Sequence, residues 1–317
     1  LLLFLSFFFL FISTLSSSLY YNCPRVHSSF GLFPIVILNH SDVSSDPKRD
    51  LEVSFLISPN HSLALCHSHL VVVHSHVKNV LERRRLRRTF ESVSLSFRLL
   101  FVLGMESVES VEDLREERRM FDDLLVIDVI EDYHNITYKA QSWIRYLDEE
   151  CRDVRWIVKM DDDVEVDPPL LSSLLRSHRH YSRVLMGRVY LNNRVMRNRH
   201  SKWYLSPSEF SSSSLGEYLQ GMSYVMSGDL LPSLRENIDR VQYLWMDDWY
   251  VTHALLNGTS ASLVDISLHI GSANSREEVE GLRRRGHSLI FMHLRPKEDF
   301  PLSERNRIWN EMKKSCD

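Results

Sequence analysis

Arg155-Trp156-Ile157-Val158-Lys159-Met160-Asp161-Asp162-Asp163-Val164-Glu165-Val166-Asp167 is the stretch that decides how the rest of the chain reads. A short apolar run of β-formers, Trp156 to Val158, leads straight into three consecutive carboxylates. In an open α/β sheet, ligands bind outside the carboxyl ends of the strands. Three acids in such a place repel one another unless a cation or a set of donors faces them. Carboxylate oxygens suit hard divalent ions, which often bridge to substrate phosphates. A solvated acidic turn is the plainer reading of an isolated Asp-Asp-Asp. Here the apolar strand before the acids and the return to Val164 and Val166 after them favour a metal site.

Working outward, the segments on either side alternate between two periodicities. Leu70 to Val73, Leu99 to Leu103, Leu124 to Val129 and Val184 to Tyr190 read as strands. Between them, Lys78 to Phe90, Glu106 to Met120 and Asn135 to Glu150 read as helices, and another follows Pro168-Pro169 through Leu175. In the third of these helices Ile136, Ala140, Trp143, Ile144 and Leu147 share one face. Strands alternating with helices predict an α/β domain with a mostly parallel sheet.

The chain has 317 residues, 44% of them hydrophobic and 25% charged, ordinary proportions for a protein with a sizeable core. A formal net charge of −4 argues against a nucleic-acid partner held by overall charge. With 10 glycines and no Gly-rich phosphate loop, a bound nucleotide would need a metal or Arg and Lys side chains for its phosphates. Leu1 to Leu19 carries no charge and is close to the length of a membrane-spanning helix. It is expected to be a signal-anchor, with a cleaved signal peptide as the other option. The chain opens on Leu rather than Met, so an upstream flank is expected. Residues 20–67 are Ser- and His-rich without a clear period and read as a stem. The apolar islands Pro34 to Leu38 and Phe55 to Ile57 do not fit that reading. Residues 68–317 form the expected catalytic domain. The 4 cysteines are too scattered for a zinc site or disulfide scaffold, though one or two bridges suit a secretory compartment. Asn39, Asn60, Asn135 and Asn257 each open an Asn-x-Ser/Thr triplet, weak support for lumenal exposure.

Four further clusters carry chemistry. Arg83, Arg84, Arg85, Arg87 and Arg88 follow the first strand; such a run is commonly a solvated face, but near a strand end its guanidinium forks can clamp phosphate. Lys202-Trp203-Tyr204 and the segment Tyr218 to Ser227 gather aromatics that suit a sugar ring or, more commonly, a core. Asp247 and Asp248 sit among Trp245, Met246, Trp249 and Tyr250. Burial there would raise a carboxylate toward a working base, while helix capping is the plainer alternative. His293 ends the apolar run Leu289 to Met292; alone it reads as a packed histidine, and beside the acids it becomes a candidate ligand.

Taken in order, these segments resemble the beta-1,3-glycosyltransferase family of Golgi galactosyl- and N-acetylglucosaminyltransferases related to Fringe. Arg83 to Phe90 is similar to R-x-x-I-R-x-T-W, with Leu86 for Ile and Phe90 for Trp. Asp123, Asp128, Tyr133, Asn135, Thr137 and Lys139 meet a spaced acidic-aromatic element, with Glu131 for an Asp. Lys159 to Val166 resembles K-T-D-D-D-V-F-V, Lys202 to Ser206 resembles K-W-x-V-S, and Gly221 to Ser227 resembles G-x-x-Y-V-L-S. Asp247 to Val251 resembles E-D-V-Y-V, and His293 stands where the family has a late His. Any one match is weak; the ordered set, from about His69 to Lys314, is specific.

The resemblance implies a Rossmann-like GT-A fold, a UDP-sugar donor, manganese, and a single-pass type II protein of the Golgi membrane. It implies that Asp161 and Asp163, with His293, hold the ion. Asp161 and Asp162, with Arg83, Arg87, Lys202 and Trp203, would hold the donor, and Asp248 would be the general base of an inverting transfer. The sugar is expected to be galactose or N-acetylglucosamine, passed in β-1,3 linkage to a glycan, glycoprotein or glycolipid. Departures from the pattern, Asp247 for Glu, Trp249 for Val and Thr252 for Gly, are expected to crowd the acceptor side. Glu165 for Phe is expected to add charge beside the ion. A metal-dependent phosphodiesterase and a non-catalytic glycan binder are the alternatives.

Overall fold

The computed structural model describes residues 34–38, 53–60, 66, 69–91, 97–286, 288–295 and 297–314. The expected signal-anchor at residues 1–19 lies outside them. Among the described residues no helix is long and apolar enough to cross a membrane.

Among the described residues nine strands form the main sheet: β1 (Ile35–Ile37), β2 (Phe55–Ile57), β3 (His69–His74), β4 (Phe97–Met105), β5 (Leu124–Ile130), β6 (Trp156–Asp161), β8 (Val184–Tyr190), β9 (Tyr218–Ser227) and β10 (Ser262–Asp265). Their order across the sheet is β1-β10-β8-β9-β6-β3-β4-β5-β2. The central strands are apolar over consecutive residues because both faces of the sheet are covered: Leu70 to Val73 are all 0% exposed. Helices α1 (Val80–Glu91), α2 (Val108–Phe121) and α4 (Pro168–Ser177) pack on one face through Leu86, Leu114 and Leu171. Helices α3 (Ile136–Glu150), α5 (Leu231–Ile238) and α6 (Asp247–Thr252) cover the other through Trp143, Leu234 and Tyr250. Two further helices, α7 (Arg276–Arg285) and α8 (Leu302–Lys314), close the chain.

The sheet is mixed rather than mostly parallel. Among the described residues, β10–β8, β6–β3, β3–β4 and β4–β5 are parallel, whereas β1–β10, β8–β9, β9–β6 and β5–β2 are antiparallel. Alternation of strands and helices holds through β3–β6 and predicts only that half correctly. Strand β9 then enters between β6 and β8 in the opposite sense, a step that hydrophobic periodicity does not encode.

The segment expected to be a stem also differs. Its two apolar islands are strands: β1 extends one edge of the sheet against β10, and β2 extends the other against β5. Cys66, from the same segment, is disulfide-bonded to Cys151 at the end of α3. The folded unit therefore draws on residues before position 68, because the outer strands of a sheet still gain backbone hydrogen bonds from short additions.

A second sheet of three strands, β11 (Ile270–Ala273), β12 (Phe291–Leu294) and β7 (Val164–Val166), stands at the carboxyl end of β6. Strand β7 leaves the three acids directly, and Asp167 ends it by accepting from the Leu170 amide at 3.0 Å as the cap of α4. Pro168 and Pro169 follow in the first turn, where their missing amide protons cost nothing.

Candidate active site

The register of the strands assembles the site. His74 pairs with Asp161 across β3 and β6, so the chain leaves both central strands at the same level. His293 pairs with Val164 across β12 and β7, which places the imidazole beside the turn carrying Asp163. On the other side of β6, Met160 pairs with Ser223 of β9, bringing Gly221 to the same end. Helix α6 packs against β9 and presents Asp247 and Asp248 in its first turn.

These elements enclose a cleft of about 530 Å³, a volume suited to a small-molecule ligand. Asp161, Asp247, Asp248, His293 and Arg295 line it, with Lys202, Trp203, Tyr133 and Tyr190. Residues far apart in the chain are thus neighbours at the carboxyl end of the parallel strands, as the ligand rule for open sheets requires.

The three acids separate into three environments. Asp161 accepts from Lys159 Nζ at 2.8 Å. Burial pushes its carboxyl up to about 6, against the pull of Lys159, and the like charges of Asp163 and Asp247 add to the rise. Asp162 is buried, and its Oδ2 accepts from Ser75 Oγ at 2.7 Å and Asn79 Nδ2 at 2.9 Å. Asp163 Oδ1 is 3.3 Å from His293 Nε2, and Oδ2 is 3.5 Å from Lys297 Nζ. Burial opposes its charge, but the contacts with His293, Lys297 and Arg305 outweigh it and hold this carboxyl well below the usual range.

Whether these groups suit a divalent ion can be tested on their own geometry. Among the described residues, no three His, Cys, Asp or Glu side chains stand close enough together to form an assembled cluster. The pair Asp163–His293 does form, and His293 Nε2 is a buried ring nitrogen without a hydrogen bond. Asp163 and His293 are donors of the kind a divalent transition ion takes, while the carboxylate of Asp161, two positions earlier in the chain, is bonded to Lys159.

Asp248 is half-buried, and its Oδ1 accepts from the Trp249 amide at 2.8 Å. It does not cap the helix: Met246 holds the capping position without a side-chain bond. Burial, and then the adjacent Asp247 charge, push the Asp248 carboxyl up to about 7, where a carboxylate can act as a base at neutral pH. Gly221 lets it fit. A β-carbon there would lie 2.9 Å from Asp248 Cβ.

Trp203 and Tyr133 stand half exposed at the rim of the cleft, and Lys202 Nζ is 4.5 Å from the Trp203 ring and 5.3 Å from that of Tyr133. This pairing of exposed ring faces with a cation is a surface that a hexose can stack on.

Arg83 and Arg87, expected to take phosphate, have protein partners instead. Arg83 is 0% exposed and forms a two-point bond with Glu117, at 2.9 and 2.6 Å, while Nη1 also donates to the His76 carbonyl at 2.8 Å. Arg87 bonds Asp123 twice at 2.8 Å, pairs with Glu117 at 2.8 Å, and lies over the rings of Phe101 and Phe121. Two arginines and two acids buried between α1, α2 and the start of β5 account for Arg83 and Arg87 as ion pairs within the fold. Asp162 is likewise turned inward, toward the loop after β3, and holds that loop rather than lining the cleft.

Of the departures from the family pattern, Asp247 lines the cleft, while Trp249, Thr252 and Glu165 fall elsewhere. Trp249 is 3% exposed, donates to the Leu215 carbonyl at 2.7 Å and stacks on His253. Thr252 is fully buried and bridges the Asp248 carbonyl and the Leu219 amide at 2.6 and 2.8 Å. Neither crowds the cleft. Glu165 is buried against Arg85 Nη1 at 2.7 Å, so its charge is balanced within the fold.

Two residues without a role in the sequence reading matter here. Lys159 sits two positions before Asp161, on the same face of β6, and period-2 spacing alone could have linked them. His74 faces Asp247 Oδ2 at 3.7 Å, and burial with Lys159 and Lys139 nearby holds its imidazole neutral; only the β3–β6 register reveals that contact.

Comparison with known proteins follows the same lines. UDP-GalNAc:beta-1,3-N-acetylgalactosaminyltransferase 1 of Homo sapiens is 26% identical over 212 residues, 63% of this chain and 61% of that protein. Beta-1,3-galactosyltransferase 5 of Gorilla gorilla gorilla is 27% identical over 187 residues, 57% of this chain and 62% of that protein. UDP-GlcNAc:betaGal beta-1,3-N-acetylglucosaminyltransferase 7 of Mus musculus is 28% identical over 194 residues, 57% of this chain and 49% of that protein. The matched region thus spans about half to three fifths of the length of these relatives. Residues 82–267 match the sequence profile of the family described as Galactosyltransferase, a stretch that includes the acid turn, Gly221 and Asp248, and the chain belongs to that family.

Proposed function

We propose that this protein is an inverting β-1,3-hexosyltransferase of the GT-A type. In this reading it moves a hexose or N-acetylhexosamine from a UDP-sugar to a hydroxyl of a glycan, glycoprotein or glycolipid. The observation that carries it is the meeting of Asp161, Asp248 and His293 in one cleft, with Asp248 pushed up to about 7. The relatives support the class of reaction. Their names include three different sugars at 26–28% identity, so galactose, N-acetylgalactosamine and N-acetylglucosamine are all donors to be tried.

Asp248 accepts the proton of the acceptor hydroxyl, whose oxygen forms the new bond to the anomeric carbon. The bond from that carbon to the UDP oxygen breaks, and its electron pair leaves with UDP. One displacement on the opposite face inverts the configuration, giving a β link from an α-linked donor. Asp161, Asp163 and His293 would hold a manganese ion, which when bound neutralises charge on the departing diphosphate. Trp203 and Tyr133 orient a sugar at the rim, and Lys202 adds a positive charge there.

The Leu1 to Leu19 stretch is the membrane anchor in this reading, with the catalytic domain in the Golgi lumen. The Cys66–Cys151 bond and the Asn-x-Ser/Thr triplets support an oxidising, lumenal setting.

The test is to incubate the protein with UDP-galactose, UDP-N-acetylgalactosamine and UDP-N-acetylglucosamine, each with a panel of β- and α-linked acceptors, with and without manganese. UDP release that requires an acceptor and is lost in Asp248→Asn supports transfer. Phosphate-ester cleavage without an acceptor, or binding without UDP release, would overturn it.

A further inference from the structure

One buried ammonium ties the two ends of the cleft together. Lys159 is 1% exposed, and its Nζ donates to Asp161 Oδ1 at 2.8 Å and to the Gly221 carbonyl at 2.7 Å. The same nitrogen is 3.5 Å from Asp247 Oδ2. The partners belong to three elements: the acid turn at the end of β6, strand β9, and the first turn of α6. Two of the ammonium's three protons go to Asp161 and Gly221, and the approach to Asp247 is an ion pair without a hydrogen bond.

Two of these partners, Asp247 and Gly221, are one step from Asp248. Asp247 is its chain neighbour. Gly221 touches it so closely that a β-carbon would collide with the carboxylate's own side chain, and the Gly221 backbone faces the carboxyl group. Moving either partner moves the base. Lys159 also acts on Asp248 directly, since its charge opposes the rise that burial and Asp247 cause. Tyr133, Tyr190, Tyr218 and Tyr224 face Asp248 from the loop before α3, from β8 and from β9, and burial raises all four so that they stay neutral at working pH. Asp161 and Asp247 supply negative charge, and neutral His74 supplies none. Lys159 is the buried cation among these groups, and Lys202, Arg194 and Arg295 line the same cleft.

We propose that Lys159 is a positioning residue for the transfer, holding Gly221 and the first turn of α6, and through them Asp248, in register with Asp161. The proposal rests on Asp248 being the base.

The experiment compares the parent protein with Lys159→Met, Lys159→Gln and Lys159→Arg by two readouts. One is the pH profile of kcat and KM. The other is the titration of the Asp248 carboxyl followed by carbon-13 NMR in aspartate-labelled protein, assigned with Asp248→Asn. Loss of the charge is expected to move the Asp248 midpoint up by about one pH unit, and the acid limb of kcat with it. KM changes less than kcat, and Lys159→Arg keeps the parent midpoint. If Lys159→Met fails to fold, Lys159→Gln retains hydrogen-bond donors without charge and gives the same comparison. Lower activity with an unmoved midpoint would overturn the proposal and reduce Lys159 to a filler of the core. Should the parent transfer no sugar at all, the proposed function fails, while the NMR midpoint still decides whether Lys159 governs Asp248.

Discussion

His293 Nε2 lies 3.3 Å from Asp163 Oδ1 because β12 pairs with β7 in the register that sets His293 opposite Val164. A residue near the end of the chain is thereby fixed against the acid turn by backbone hydrogen bonds, not by a flexible loop. If the pair holds the ion, His293→Ala raises the manganese concentration needed for half-maximal transfer by about tenfold or more. A manganese titration of initial rates checks this; an unchanged half-activation concentration would remove His293 from the ligand set.

The rate should fall on the acid side of neutrality. Asp248 works deprotonated, so below its midpoint of about 7 the rate drops about tenfold per pH unit. Stability moves the other way. A carboxyl raised in the folded state binds its proton more tightly there than in the unfolded chain, so its contribution is fullest below about 4. It is then lost as pH rises to about 7. Asp248→Asn should accordingly unfold at higher temperature than the parent at pH 8 and show little difference at pH 4. Calorimetric scans at the two pH values measure it.

Gly221→Ala tests the close approach at the base. The new β-carbon would lie 2.9 Å from Asp248 Cβ and 3.3 Å from its Oδ2, forcing the carboxylate aside. Misplacement of this size at a reacting group costs on the order of a hundredfold in kcat/KM. The unfolding midpoint should move far less than that loss suggests, because the strand itself accommodates alanine.

The corrected role of the arginine run has its own consequence. Arg83→Ala leaves Glu117 buried beside α1 with one partner fewer, and should cost about 3–5 kcal/mol of stability in urea unfolding. Arg87→Lys, which breaks the two-point bond with Asp123, should lower stability while leaving KM for the UDP-sugar near that of the parent. A selective rise in that KM would restore the phosphate-clamp reading.

Cys66→Ser should destabilise the fold by about 2–5 kcal/mol, since its bond to Cys151 closes a loop across 85 positions of the chain. Thermal unfolding with and without reductant reads this, and the parent under reductant should approach the variant.

Much of the site is legible in residue order alone. An apolar strand running into Asp161 to Asp163 signals a ligand end, because adjacent carboxylates at the end of a buried strand repel one another unless cations or donors face them. Local periodicity likewise marks β3 to β6 and the helices between them, since burial on one or both faces repeats with the geometry of the element itself. Charge in a sequence does not reveal its partner: Glu117 and Asp123 lie 34 and 36 positions from Arg83 and Arg87 and meet them only when α1 packs against α2 and β5. The same limit hid β1 and β2, short segments whose stability as strands comes wholly from the edges they join. It also hid the divergence of the three acids into a histidine-paired Asp163, a loop-holding Asp162 and a lysine-bound Asp161.

Sequence by itself determined which residue types stand at the end of β6, that a nucleotide would need help other than a glycine loop, and which family pattern the chain follows. Tertiary structure alone decided which acid faces which cation. Strand register and helix packing are cooperative properties of distant segments, and it is through them that Lys159, Gly221, Asp248 and His293 come to share one cleft with Asp161.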